Sequence, residues 1–235
     1  DVLVHARGEH GATLALSGLE ISGLWEKKIS PDQWVVSLDG AGLHPSLKQS
    51  CDLVIITSKS IDTVALIDCA TFLTSGPVLS LQNGLGNLET LKQHVFENAA
   101  VGVTTNAVKR IQPGCIEWVG KGNLIVGGPK GEIFANVLDC LDASYSEDVS
   151  SILWSKLLLN VAINPLAAIC GVKNGELRNE PLLSQAESTM LEAASVARML
   201  GIAIDDDQIL IQNLHSVLDS TSENICSMLA DVKAG

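Results

Sequence analysis

The sequence predicts an α/β protein in which a doubly wound parallel sheet is followed by an all-helical segment. Short apolar runs alternate with helix-like segments over the first 110 or so residues. Those runs are apolar on both faces, as strands covered by helices on both sides must be. From about Ser150 the pattern changes to long helical periodicity, with no further strand run.

In order, "DVLVHAR" opens inside a strand-like run that ends at Arg7, without an initiator Met. The first strand of the sheet and its glycine loop are therefore expected upstream, absent from this chain. "DLVIITS" leads to Lys59, "PVLSLQ" to Asn83 and "AAVGVTT" to Asn106. Between them, "IDTVALIDCATFL" and "NLETLKQHVF" have helical spacing, with Asn87 placed to cap the second. "CIEWVGKGNLIVGGP" reads as two strands around a Gly-Lys-Gly turn, an antiparallel addition to the sheet. Four helical stretches follow: "SSILWSKLLLNVAIN", "PLLSQAESTMLEAASVARMLG", "DDQILIQNLHSVLDS" and "ENICSMLADVKAG". The expected domains are residues 1–147, the incomplete sheet domain, and 148–235, a helical domain that also ends early.

Composition narrows the function classes. Of 235 residues, 46% are apolar, enough for a substantial core, and the net charge of -12 with scattered basic residues argues against a nucleic-acid binder. No run approaches the roughly 20 apolar residues that span a bilayer, and no secretory signal is visible, so no membrane partner and a cytoplasmic location are expected. The six cysteines contain no CxxC pair and mostly lie in apolar segments, as reduced, buried thiols would. His5, His10, His44, His94 and His215 show no ligand spacing, and no metal site is expected.

In open parallel sheets ligands bind beyond the carboxyl ends of the strands, which gives weight to Arg7, Lys59, Asn83 and Asn106. An Arg after the second strand of a dinucleotide fold suits a ribose 2'-phosphate, whereas sites for NAD usually carry Asp or Glu there. Arg7 reads equally well as a solvated loop residue, and Lys59 and Asn83 as a strand end and turn chemistry. Neither "NGLGNLE" nor "GKGNLI" is a dinucleotide fingerprint.

The segment "LWSKLLLNVAINPLAAICG" carries a sharper signal. Lys156, Asn160 and Asn164 recur every fourth residue, so on a helix they form one polar stripe with about 40 degrees of drift per step. Most of the remaining surface is apolar. Burying the ammonium or the amides without partners would cost several kcal/mol, so the stripe must meet solvent, internal hydrogen bonds or a ligand. A solvated face normally mixes Glu, Lys, Gln and Arg, which favours the ligand. Pro165 lacks an N–H and crowds the Val161 carbonyl, which predicts a bend beside Asn164.

Taken with "TSKSID", "LQNGLGN", "VGVTTNAVKR", "NGEL" and "TSENICSML", this segment resembles the ketopantoate reductases over essentially the whole chain. The resemblance implies an NADP-binding Rossmann-type domain joined to a helical domain, with NADPH reducing 2-dehydropantoate (ketopantoate) to pantoate for pantothenate and coenzyme A synthesis. By position it implies Lys156 as the catalytic lysine and Asn160, Asn164, Asn174 and Ser227 as substrate-binding residues. It also implies that Lys59, Asn83 and Ala107 line the cofactor, with Arg7 on the 2'-phosphate. The family's glycine fingerprint is not in the sequence, and the acidic residue that usually follows "SML" would lie beyond Gly235. Two alternatives stay open: a reductase of another branched 2-oxo acid, and a non-catalytic NADP-binding regulator. A small-molecule substrate is the expected partner, with room for a homodimer.

Overall fold

A computed structural model of the chain describes residues 1–234. It divides into two units, Asp1–Val149 and Ser150–Gly235. The first contains β1 (Leu3–Ala6), α1 (Gly8–Ser17), β2 (Leu19–Gly23), β3 (Lys27–Ile29), β4 (Val35–Leu38) and β5 (Val54–Ile56). It continues with α2 (Thr63–Leu73), β6 (Val78–Ser80), α3 (Asn87–Val95), β7 (Ala99–Thr104), β8 (Ala107–Gln112) and β9 (Cys115–Gly120). It closes with β10 (Leu124–Gly127), α4 (Gly131–Val137) and β11 (Ala143–Tyr145).

The main sheet has five strands in the order β11-β10-β7-β6-β5. β5, β6 and β7 run parallel, β10 is antiparallel to β7, and β11 is parallel to β10. Alternate residues serve opposite faces. Val78 and Ala99 join Ile56, Ile67, Ala70 and Leu91 in one core, while Leu79 and Ala100 join Leu124, Val126 and Phe134 in another. Burial on both faces is why these strands read as continuous apolar runs rather than alternating ones. Each fully buried Leu or Val contributes about 1.5–3 kcal/mol relative to exposure.

The rest of the unit departs from the single sheet expected. β1 pairs in parallel with β4 alone, as a separate two-stranded sheet, and Gly11 lets α1 lie close against the end of β1. A Cβ at Gly11 would stand 3.0 Å from the Ala6 carbonyl carbon. "CIEWVGKGNLIVGGP" is not a hairpin: β9 belongs to a four-stranded sheet of order β3-β2-β9-β8, while β10 enters the main sheet. The Gly-Lys-Gly link is a crossover, fixed to the corner between β7 and β8. Thr105 N–H donates to the Asn123 carbonyl at 2.9 Å, Asn123 N–H to the Thr105 hydroxyl at 2.8 Å, and Gly122 N–H to Asn106 Oδ1 at 3.1 Å.

Among the described residues the second unit holds helices and no strand: α5 (Val149–Cys170), α6 (Leu182–Met199), α7 (Asp207–Ser220) and α8 (Ser227–Ala234), α5 beginning on the last residue of the first unit. Its core takes Leu158, Ala162, Ile163 and Ala167 from α5, Ala186, Met190 and Ala194 from α6, Leu210, Leu214 and Leu218 from α7, and Leu229 from α8. The fourfold spacing in α6 and α7 puts each set on one stripe, and the alanines of α6 allow close helix approach. Asp206 caps α7 by accepting from Ile209 N–H at 3.0 Å.

Three further expectations change. By length and composition α5, with 22 residues, could cross a bilayer, because Lys156 and its amides are too few to interrupt the run. The thiols are free, but Cys140 and Cys170 are exposed and only Cys226 is buried. Cys140 lies in a surface turn and Cys170 is the last residue of α5, so their apolar neighbours in sequence do not cover them. Asn87 is the first residue of α3 rather than its cap, and its amide donates back to the carbonyls of Gln82, Asn83 and Gly84.

Candidate active site

Arg7, Lys59 and Asn83 lie just past the ends of β1, β5 and β6. Two of these ends are tied directly: Arg7 Nη2 donates to Asp62 Oδ2 at 2.8 Å, Asp62 standing three residues after Lys59 at the entry to α2. Lys59 and Asn83 are exposed, and the backbone that carries them is held by a residue the sequence reading passed over. Gln82, 3% exposed, uses both ends of its amide. Its oxygen accepts from the Ser80 hydroxyl at 2.9 Å and shares with the Ser60 carbonyl the one proton of the Thr63 hydroxyl, at 2.9 and 2.7 Å, while its nitrogen donates to the Lys59 carbonyl at 3.0 Å and the Ser58 hydroxyl at 3.2 Å. A carboxamide has two donors and two acceptor sites, and each of those of Gln82 faces a partner. With Asn87 gripping residues 82–84 from the other side, the Lys59 and Asn83 loops are fixed in relation to each other. A Gln between a strand and an Asn-Gly was the available signal, but its partners are spread over 24 residues.

Ala107 opens β8 opposite Gly120 and borders the same crossover. Its neighbour Asn106 has a structural task. Besides accepting from Gly122, its amide donates to the Thr104 hydroxyl at 3.1 Å.

In the helical unit, Lys156, Asn160 and Asn164 are half-buried along α5, which runs through Pro165 to Cys170. Burial lowers the Lys156 pKa from its ordinary value. Two loops come to the far end of this stripe. The Cys226 thiol donates to the Asn164 carbonyl at 3.6 Å, which sets Ser227, the first residue of α8, beside α5. Asn174 N–H donates to the Asn224 carbonyl at 3.0 Å, and Gly175 N–H to that of Ser222 at 3.1 Å.

Asn174 itself is 7% exposed. Its Nδ2 donates to the Thr221 hydroxyl at 3.0 Å, and that hydroxyl donates on to the Val217 carbonyl at 2.6 Å. Because the Thr221 proton is committed to Val217, the amide can present only its nitrogen to Thr221. Asn174 Oδ1 is then a buried acceptor with no hydrogen-bond partner among the described residues. Such an atom costs about 1–3 kcal/mol unless a donor is brought to it. The structure thus gathers Asn164, Asn174 and Ser227 through their backbones and extends the set along α5 to Asn160 and Lys156.

The two halves match known proteins as families do. The family model "Ketopantoate reductase PanE/ApbA" matches residues 1–131, and its C-terminal counterpart matches 148–235. The 2-dehydropantoate 2-reductase of Pyrococcus horikoshii is 35% identical, covering 100% of this chain and 77% of its own length. That of Archaeoglobus fulgidus is 32% identical with the same coverage. The crystal structure of a PanE/ApbA family ketopantoate reductase from Ralstonia eutropha JMP134 superposes with a TM-score of 0.84 at 28% identity, over 99% of this chain and 77% of that one. D-mandelate dehydrogenase in complex with NADH and anilino(oxo)acetate shares the fold, with a TM-score of 0.86 at 21% identity over 99% and 78%. Since both units and a third of the residues over the whole length agree with the same proteins, the chain belongs to the ketopantoate reductase family of oxidoreductases.

Proposed function

We propose that the protein reduces 2-dehydropantoate to pantoate with NADPH, in the cytoplasm, as a step toward pantothenate and coenzyme A. The observation that carries the reading is the half-buried Lys156 ammonium in line with Asn160 and Asn164 on one side of α5. A bound dinucleotide would supply the hydride that the 2-oxo carbon takes up. Lys156 then gives its proton to the oxygen on that carbon, whose carbonyl π electrons have become a lone pair. A charge-assisted hydrogen bond from the ammonium also stabilises the developing alkoxide, more strongly where burial excludes water.

Asn160 and Asn164, one and two turns further along, hold the substrate's hydroxyl and carbonyl, with Ser227 near its carboxylate. Asn174 serves the substrate through its oxygen. Its free atom is an acceptor, so it suits a hydroxyl donor on the substrate rather than a carboxylate, which at neutral pH only accepts. On the nucleotide side, Arg7 is 69% exposed and its guanidinium has further N–H donors beyond the one on Asp62, which fits a ribose phosphate. Lys59, Asn83 and Ala107 border the nucleotide.

The test is NADPH oxidation with ketopantoate and a panel of other 2-oxo acids. Lys156→Ala is expected to lower turnover about 10²–10⁴-fold while nucleotide binding persists. Unaltered turnover in that variant, or a preference for another 2-oxo acid, would replace this reading.

A further inference from the structure

Past the ends of β1 and β5, where the ribose of the proposed nucleotide would lie, stand two residues of opposite sign. Arg7 Nη2 and Asp62 Oδ2 are 2.8 Å apart, Arg7 with 69% of its side chain exposed and Asp62 with 25%. Asp62 is the more firmly held partner. It occupies the N-terminal boundary of α2, where the helix dipole favours a carboxylate, and its own N–H donates to the Lys59 carbonyl at 3.0 Å. That carbonyl is the one Gln82 holds. The Arg7 side chain, by contrast, stands mostly in solvent.

We propose that Asp62 sets the choice between the two nicotinamide dinucleotides by competing with a ribose 2'-phosphate for Arg7. This rests on the proposed function, since it assumes that a dinucleotide lies across these strand ends. A phosphate that engages Arg7 must either displace the Asp62 carboxylate or sit beside it as a like charge. A ribose carrying a free 2'-hydroxyl meets no such opposition and finds in Asp62 the acceptor that an Asp or Glu supplies in NAD-binding sites. Arg7 favours the phosphorylated nucleotide, Asp62 the unphosphorylated one, and the pair narrows the difference between them. Exposed ion pairs are weak, so the penalty is modest and the protein accepts both.

The experiment titrates the full chain, wild type and variants, with 2',5'-ADP and with 5'-ADP by calorimetry, so that binding is read without turnover. Asp62→Asn should raise the 2',5'-ADP to 5'-ADP affinity ratio by about fivefold, the upper end of what losing one exposed ionic competitor gives. Arg7→Ala should remove most of the 2',5'-ADP affinity whether or not Asp62 is present. Should Asp62→Asn melt early, Asp62→Ser repeats the measurement with a side chain that still suits the start of a helix. An unchanged or lowered ratio in both Asp62 variants overturns the proposal, as does an absence of binding by either fragment. Turnover of ketopantoate measured in parallel keeps the two ideas apart. An unchanged ratio with normal turnover removes only the role of Asp62, whereas a shifted ratio with no turnover of any 2-oxo acid removes the proposed reaction and leaves Asp62 in place.

Discussion

Asn174 Nδ2 reaches the Thr221 hydroxyl at 3.0 Å, and because that hydroxyl is spent on the Val217 carbonyl, the Asn174 oxygen faces away from Thr221 with no donor among the described residues. Thr221→Val removes the acceptor that fixes this orientation while keeping the volume. The amide can then turn and present either end to substrate. An orienting hydrogen bond is worth about 1 kcal/mol, so the KM for ketopantoate should rise about fivefold, with the KM for NADPH unaltered. Steady-state kinetics on the two substrates checks this, and an equal change in both would place the effect elsewhere.

Lys156 makes a prediction about pH. Burial lowers its pKa in the folded chain, so the ammonium required as proton donor is lost at a pH below that for an ordinary lysine. Turnover should be level at lower pH and fall as pH rises through that lowered value. The linked effect on stability has the opposite sense. Between the folded pKa and the unfolded one of about 10.4, the unfolded chain holds the proton and the folded chain has released it, so stability rises with pH across that window. Below it the buried charge weighs against the fold at full strength. Lys156→Met should therefore melt at a higher temperature than the wild type at neutral pH, with the gain shrinking as pH approaches about 10.4.

The stripe on α5 was legible because its information is local: a period near 3.6 is written into consecutive residues, and one helix realises it. The ends of β5, β6 and β7 were legible for a similar reason, since strands buried on both faces are apolar throughout. The exposed strands were not. In β8 every residue after Ala107 is solvent-exposed, so no apolar run marks it. "CIEWVGKGNLIVGGP" misled because a hairpin and a crossover share the same local pattern of strand, glycine turn and strand. The choice between them is made by the Thr105–Asn123 hydrogen bonds, which depend on a corner elsewhere in the chain. The Asn174 acceptor was hidden likewise, because its orientation depends on Thr221 and Val217.

Gln82 joins Ser58, Lys59, Thr63 and Ser80 through one amide. Gln82→Met keeps the length and leaves those groups without their common partner, in a place where Ser80 and Thr63 are buried. The fold should lose about 2 kcal/mol, measured by urea denaturation. If the clamp also fixes Lys59 and Asn83 for the nucleotide, the KM for NADPH should rise more than that for ketopantoate. Ser80→Ala is the comparison, since it removes one donor to the Gln82 amide and the acceptor of the Gln82 N–H but leaves the Lys59 contact in place. It should destabilise without shifting the NADPH KM.

Asn106 follows a strand end just as Lys59 and Asn83 do, yet its amide is occupied within the protein, accepting from Gly122 N–H and donating to the Thr104 hydroxyl. Asn106→Ala should therefore cost stability, about 1–2 kcal/mol by urea denaturation, with the KM for NADPH unaltered in the folded protein. Gly122 supplies the stricter test of the same corner, because a Cβ there would overlap the Thr105 carbonyl, which is backbone and cannot rotate aside. Gly122→Ala should destabilise more than Asn106→Ala, and the pair should be less than additive, since both disturb the Gly122–Asn106 hydrogen bond at the corner that turns β9 away from β10. Additive losses in the double variant would mean that the Asn106 amide and the Gly122 crossover stabilise the unit independently.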